Sequence, residues 1–136
     1  MATRSTIAMV LPNGTIQSVY CHWDGNLECV GHTLAEKYNK KKTIQLLANG
    51  DVSSLGDFVG HKHNFDRATN VKSTTFYGRD RGETGTESRN FATVEKWREA
   101  YKWSEFFYLL QGKQWWYCEY GDKELKPIIY GLLETN

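Results

Sequence analysis

The chain has 136 residues, with 17 Lys and Arg against 16 Asp and Glu, and 40% of its residues are hydrophobic. This composition predicts one globular domain over residues 1–136 with room for a packed core. The net charge of +1 argues against a protein dedicated to duplex nucleic acid, and three cysteines without close spacing argue against a disulfide framework. The apolar stretch before Pro12 is too short for a membrane span, so we expect a cytoplasmic protein without a membrane partner.

The N-terminal segment predicts a β-hairpin. Asn13 and Gly14 lie between two apolar runs, and this pair favours a two-residue turn because both positions accept a positive φ. Such a turn places Ile7 opposite Tyr20. Both faces of this hairpin are apolar in the sequence, so we expect cover on both sides or a partner chain, which favours a homo-oligomer.

The middle of the chain predicts two short helices followed by two loops. Apolar residues recur at helical spacing over residues 30–38 and 43–48, and an Asn-Gly pair then predicts a helix end. Residues 51–72 have few periodic apolar positions and predict an irregular loop. Residues 78–87 are charged and rich in glycine, which predicts a second loop that is mobile, binds a ligand, or does both.

The C-terminal third predicts the best single helix and a second hairpin. Thr93 is a suitable N-cap before apolar positions at helical spacing, and Gly112 and Lys113 suit a tight turn between two aromatic runs. We therefore expect an α+β fold. Its antiparallel sheet is built from the N-terminal and C-terminal β-hairpins, with two or three short helices packed on it.

Two groups of histidines and acids are candidates for chemistry. His22 and Asp24 are two residues apart on an extended segment, so they can share a ligand, form a general base with its orienting carboxylate, or simply make a turn. His61, His63 and Asp66 superficially resemble the ligand run of binuclear metal hydrolases, but no histidine follows them in the chain. We therefore expect no metal ligand, no catalytic residue and no cofactor.

Arg79 and Arg81 have the spacing of one strand face, with Tyr77 beside them and glycines on either side. Arginine forks next to an aromatic ring suit a nucleotide, because guanidinium groups bind phosphate and the ring stacks on a base. Ion pairing between these arginines and the neighbouring acids explains the same residues, so both interpretations stay open.

Four segments resemble a family of small, largely uncharacterised proteins encoded by bacteriophages and prophages: residues 3–8, 20–25, 50–56 and 76–83. The resemblance carries over no activity or catalytic residue. It implies an accessory role in the host cytoplasm, because small phage proteins often act against host defence. The positions that it marks as candidate ligand contacts are His22, Trp23, Asp24, Tyr77, Arg79, Asp80, Arg81 and Glu83.

The first hypothesis is a non-catalytic counter-defence protein that sequesters a small phosphate-bearing ligand, such as a cyclic nucleotide or an ADP-ribose-type immune signal. In this hypothesis Arg79 and Arg81 bind phosphate, Tyr77 or Trp23 stacks on a base, and the site lies between protomers.

Two alternatives belong to other classes of protein. One is an inhibitor that blocks a host defence protein through an aromatic surface containing Trp115 and Trp116. The other is a nucleotide hydrolase that uses His22, Asp24 or the loop at residues 61–66.

Overall fold

The computed structural model describes residues 2–65 and 72–129, which form an α+β fold as the sequence predicts. The strands are β1 (Ser5–Val10), β2 (Ile16–Cys21), β3 (Val52–Ser54), β4 (Thr75–Phe76), β5 (Arg89–Phe91), β6 (Phe106–Gln111), β7 (Gln114–Glu119) and β8 (Lys126–Pro127). The helices are a π-helical turn at Leu27–Gly31, α1 (His32–Lys37), α2 (Lys40–Ala48), α3 (Tyr77–Arg81) and α4 (Val94–Ala100).

The eight strands form one mixed sheet in the order β4-β3-β2-β1-β6-β7-β8, with β5 also paired to β2. β1 pairs antiparallel with β2, and β6 with β7, but β1 runs parallel to β6 and β2 runs parallel to β3. The prediction of an antiparallel sheet built from two hairpins is therefore wrong for the β1–β6 and β2–β3 pairs, which are parallel. The helices of residues 27–48 provide the crossover connection that a parallel β2–β3 pair requires.

The turn between β1 and β2 is longer than the sequence predicts. Val10 pairs with Ile16. The Leu11 N–H donates to the Thr15 carbonyl, and the Leu11 carbonyl accepts the Gly14 N–H, both at 2.8 Å. The register therefore shifts by one residue, so Ile7 pairs with Val19 rather than with Tyr20. Because a one-residue shift moves side chains to the other face of a sheet, Tyr20 leaves the Ile7 face.

Each face of the sheet has its own apolar core, covered by helices of the same chain. α1 and α2 supply Leu34, Leu46 and Leu47 to one core, and α4 supplies Trp97 to the other, all with 0% exposure. The alternation of β2 separates the two cores, because Val19 belongs to the first and Ile16 to the second. The apolar faces therefore need no partner chain, and this reason for expecting a homo-oligomer no longer holds.

The last long strands form core rather than an exposed aromatic surface. Trp115 is 3% exposed, and its indole N–H donates to the Tyr38 carbonyl over 2.9 Å. Trp116 is partly buried against the core under α4. The proposed contact surface for a host protein is therefore wrong for Trp115, whose substitution would disturb packing.

Candidate ligand-binding site

The end of β2 places a row of aromatic rings on the α4 face of the sheet. The ring of Tyr20 meets Trp103 edge to face, with 5.1 Å between centroids, and its hydroxyl is in hydrogen-bonding contact with His22 Nδ1. His22 in turn meets Trp23 edge to face at 4.6 Å. These T-shaped contacts are a favourable geometry for aromatic pairs, so they fix the rings relative to one another.

A cavity of about 310 Å³ opens beside this row. Its size is at the lower end of the range for small-molecule sites. The residues that line it are Arg4, Tyr20, Asp51, Arg89, Tyr101 and Trp103.

The lining residues come from distant parts of the chain and meet because of the strand pairing. Arg4 immediately precedes β1, and its carbonyl accepts the Glu105 N–H at 3.0 Å at the start of β6. Arg89 lies opposite Ser18 in the β2–β5 pair. Ser18 Oγ lies 3.3 Å from the Tyr101 hydroxyl at the end of α4, so β2 also positions this wall of the cavity.

The cations of the cavity differ from Arg79, Arg81 and Arg98, which each pair with or donate to a protein group. Within residues 2–65 and 72–129, the guanidinium groups of Arg4 and Arg89 make no hydrogen bond or ion pair with a protein atom. The Arg4 guanidinium lies 6.0 Å from the centre of the Trp103 ring, at the edge of cation–π range. Both groups are on exposed residues, so their N–H donors are available to an anion.

Burial changes the pKa of two other polar side chains at the cavity, Tyr20 and Asp51. It raises the pKa of Tyr20 to about 12, so the hydroxyl stays neutral at physiological pH. Burial also raises the pKa of Asp51, against the opposing effects of the Tyr20 amide and the charge of Arg89. The Asp51 carboxylate accepts the Tyr20 N–H at 2.9 Å, which fixes its position at the cavity wall.

The segment that carries the predicted arginines is a short helix, α3, and not a loop. Asp80 explains its start, because its carboxylate accepts the Phe76 N–H at 2.8 Å and the His63 N–H at 3.0 Å. On a helix, residues two apart point in different directions. The prediction that Arg79 and Arg81 share one face is therefore wrong.

Arg79 is fully engaged by the protein. Its Nε and one terminal nitrogen donate to the two Asp80 carboxylate oxygens, at 3.0 and 3.1 Å. Its terminal groups also donate to the carbonyls of Val59, Gly60 and Thr74, at 2.8 to 3.0 Å. All five N–H donors thus have protein acceptors, so the arrangement favours a structural role for Arg79 over the predicted contact with phosphate.

Three of the other predicted residues do come together on the α4 face. The Arg81 guanidinium pairs with Glu83 at 3.0 Å and lies 4.8 Å from the centre of the Phe65 ring. The Tyr77 ring lies 5.7 Å from Phe65. Tyr77, Arg81 and Glu83 therefore form an exposed group with an aromatic and a cationic part.

His22, Asp24 and His63 have separate contacts in the structure. Asp24 is exposed with a left-handed φ of 55°, and no hydrogen bond joins it to His22 in the part of the chain that the structure describes. His63 is almost buried and its Nε2 contacts Thr75 Oγ1 at 3.1 Å, which is a structural role. Asp66 lies outside the described residues, and among those described no three His, Cys, Asp or Glu side chains gather as a metal site.

Sequence reasoning missed the cavity residues Arg4, Asp51, Arg89 and Trp103. Arg4 and Asp51 lie in the segments that resemble the phage family, which was a usable signal. Arg89 and Trp103 reach the cavity through the pairing of β5 with β2 and the end of α4. No local pattern marks such long-range pairings in a single sequence.

No protein-family model matches the chain, and neither a curated protein nor a solved structure matches it. The resemblance to phage proteins therefore stays a prediction. None of the described helices is long and apolar enough to cross a membrane. The geometry of the site is consequently the basis for the functional argument.

The Arg79–Asp80 pair gives the first prediction. Changing Arg79 to Gln leaves the Asp80 carboxylate, whose side chain is 0% exposed, without its cationic partner. Loss of one partner of a buried pair costs about 3 kcal/mol, so the urea midpoint should fall markedly. Arg81→Gln is the control, because its pair with Glu83 is solvent-exposed and should change stability by less than about 1 kcal/mol. Equal effects of the two changes would contradict the structural role of Arg79.

The same carboxylate predicts an acid-dependent loss of stability. Burial acts to raise the pKa of Asp80, but the hydrogen bonds from Arg79 and from two backbone amides outweigh it, so the pKa lies below the usual 3.8. A lowered pKa stabilises the fold above 3.8, and this contribution disappears as the pH falls through the pKa of the folded state. When the pH is lowered from about 5.5 to about 3, the free energy of unfolding of Asp80→Asn should therefore fall less than that of the wild type. If urea titrations show the same fall for both proteins, the pKa of Asp80 is not the cause of the acid-dependent loss of stability.

Proposed function

We propose that the protein binds a small nucleotide-type ligand, with a planar base and at least one phosphate, in the cavity beside Tyr20. The observation that carries the proposal is the pair of guanidinium groups, Arg4 and Arg89, which have no acceptor among the described residues and line the same cavity as the exposed ring of Trp103. In the phage setting that the sequence resemblance implies, such binding sequesters a nucleotide immune signal, such as a cyclic nucleotide or an ADP-ribose-type compound.

Each part of the cavity supplies one element of nucleotide recognition. Trp103 is 46% exposed and its ring meets Tyr20 in a T-shaped contact, so a base can stack on the part of the indole that faces solvent. Arg4 and Arg89 supply charge-assisted hydrogen bonds for phosphate. The Asp51 carboxylate can accept hydrogen bonds from the amino edge of a base or from a ribose hydroxyl.

The balance of charge favours a small ligand over a nucleic acid polymer. Asp51 lies within the cavity, Glu87 is close enough to raise its pKa, and the whole chain carries a net charge of +1. A polymer with a phosphate on every nucleotide is bound by a large surplus of Lys and Arg. One or two phosphates fit the two available guanidinium groups better.

The chemistry of the side chains supports binding without turnover. His22 contacts the Tyr20 hydroxyl and lacks a hydrogen bond to a carboxylate among the described residues, so it has no orienting partner for general base catalysis. Burial raises the pKa of Cys21 to about 12 and that of Cys118 to about 11, so neither forms the reactive thiolate near neutral pH.

The proposal predicts that Arg4 and Arg89 control affinity. Calorimetric titrations with ADP-ribose and with a panel of cyclic mononucleotides should identify a ligand. Arg4→Gln and Arg89→Gln should each weaken its binding about 10-fold or more, because each removes charge-assisted hydrogen bonds. Lys96→Gln removes the same charge from an exposed site on α4 and should leave the affinity unchanged.

Two results would contradict the proposal. If no member of the panel binds, or if the bound ligand is insensitive to both arginine changes, the cavity is not a nucleotide site. Heating the complex and analysing the released compound by mass spectrometry separates binding from catalysis. Recovery of the intact compound supports sequestration, and recovery of an altered compound shows that the protein is an enzyme.

A further inference from the structure

On the basis of the proposed nucleotide cavity, we infer that the ligand has two nucleobases joined by phosphate, and that its second base binds a separate aromatic station. The second station consists of Phe65, Tyr77 and Arg81. It lies on the same face of the sheet as the cavity and repeats its combination of exposed guanidinium and aromatic rings.

The second station has the features of a stacking site. The rings of Phe65 and Tyr77 are inclined by 35° with 5.7 Å between centroids, and both residues are partly exposed. The Arg81 side chain is 54% exposed, and its Nε is held by Glu83 at 3.0 Å. The guanidinium lies over Phe65, at 4.8 Å, and none of the described residues accepts a hydrogen bond from its terminal N–H groups, which suit a phosphate.

Strand alternation places the two stations on one face. Val52 is fully buried in the core under α1 and α2, so its neighbours Asp51 and Ser53 point to the opposite side of the sheet. Asp51 lines the cavity, and Ser53 lies close enough to Tyr77 to oppose the rise that burial causes in the pKa of the Tyr77 hydroxyl. The segment at β3 thus places Asp51 at the cavity and Ser53 beside Tyr77 of the second station.

His22 connects the two stations along the sheet. β2 pairs with β3 at Cys21 and Val52, and the His22 N–H then donates to the Val52 carbonyl at 3.0 Å. His22 therefore lies between Tyr20 of the cavity and the β3 side chains next to Tyr77. β2 and β4 flank β3 and therefore lie about 10 Å apart. Tyr20 of the cavity and Tyr77 of the second station are close enough for Tyr77 to add to the rise that burial causes in the pKa of Tyr20, and we infer that two linked nucleotides span this separation.

A set of defined nucleotides tests the inference separately from the proposed function. The probes are AMP and GMP, the linear dinucleotides pApA and pGpG, and the corresponding 3′,3′-cyclic dinucleotides, each titrated by calorimetry. We expect one dinucleotide to bind at least about 10-fold more tightly than its mononucleotide, with one dinucleotide per chain. Arg81→Gln should remove this gain, whereas Lys96→Gln should change neither the mononucleotide nor the dinucleotide affinity.

Each other outcome has a defined meaning. If mononucleotides bind through Arg4 and Arg89 but no dinucleotide binds more tightly, the second station is wrong and the nucleotide cavity stands. If a dinucleotide binds more tightly but the Arg81 change has no effect, its second base lies elsewhere and the station is again wrong. If no probe binds, this inference fails, and the proposed function is decided by the titrations with ADP-ribose and the cyclic mononucleotides.

Discussion

Asp51 makes the contacts on which the geometry of the ligand face depends. Its carboxylate accepts the Tyr20 N–H, its backbone N–H donates to Thr86 over 2.8 Å, and its carbonyl accepts the Tyr77 N–H over 3.2 Å. One residue thus ties β2, the loop before β5 and the start of α3 together. The preceding residue must be glycine, because Gly50 has a φ of +82° and an added Cβ would lie 2.3 Å from the Thr86 carbonyl.

The two faces of the sheet differ in how completely helices cover them. The face under α1 and α2 is a closed apolar core that includes β3 and β6. On the other face, α4 covers part of the sheet with Trp97 and Tyr101 and leaves the end of β2 exposed beside Trp103. The binding surface therefore lies where the cover of α4 ends, and its rings and cations are held by strands whose other side is buried.

Local sequence patterns predicted the parts of the fold that local contacts determine. Thr93 is the N-cap of α4, as expected, and accepts the Lys96 N–H at 3.2 Å. The pairing of Gln111 with Gln114 also agrees with the expected tight turn at Gly112 and Lys113. In both cases the physical cause lies within a few residues, so a single sequence contains it.

The failures of sequence reasoning come from contacts between distant segments. The parallel β1–β6 joint depends on the packing of the whole sheet, and α3 depends on the Asp80 carboxylate and its acceptance of the His63 N–H. Arg79 looked like a ligand contact because three of its five acceptors are backbone carbonyls, such as those of Val59 and Gly60, which leave no side-chain signature. Arg89 was missed because its position at the cavity depends on the pairing of β5 with β2, two segments that are far apart in the sequence.

The measurement that tests the nucleotide cavity most directly is an NMR titration of the ¹⁵N-labelled protein with the nucleotide that binds it. The indole N–H signals of the tryptophans are followed as the nucleotide is added. Trp97 and Trp115 are internal controls, because their indoles are buried and donate to Thr6 Oγ1 and the Tyr38 carbonyl. Stacking of a base on Trp103 should shift its indole signal, assigned by Trp103→Phe, and leave the signals of the two buried indoles in place. A bound nucleotide that leaves the Trp103 signal unchanged would contradict the account.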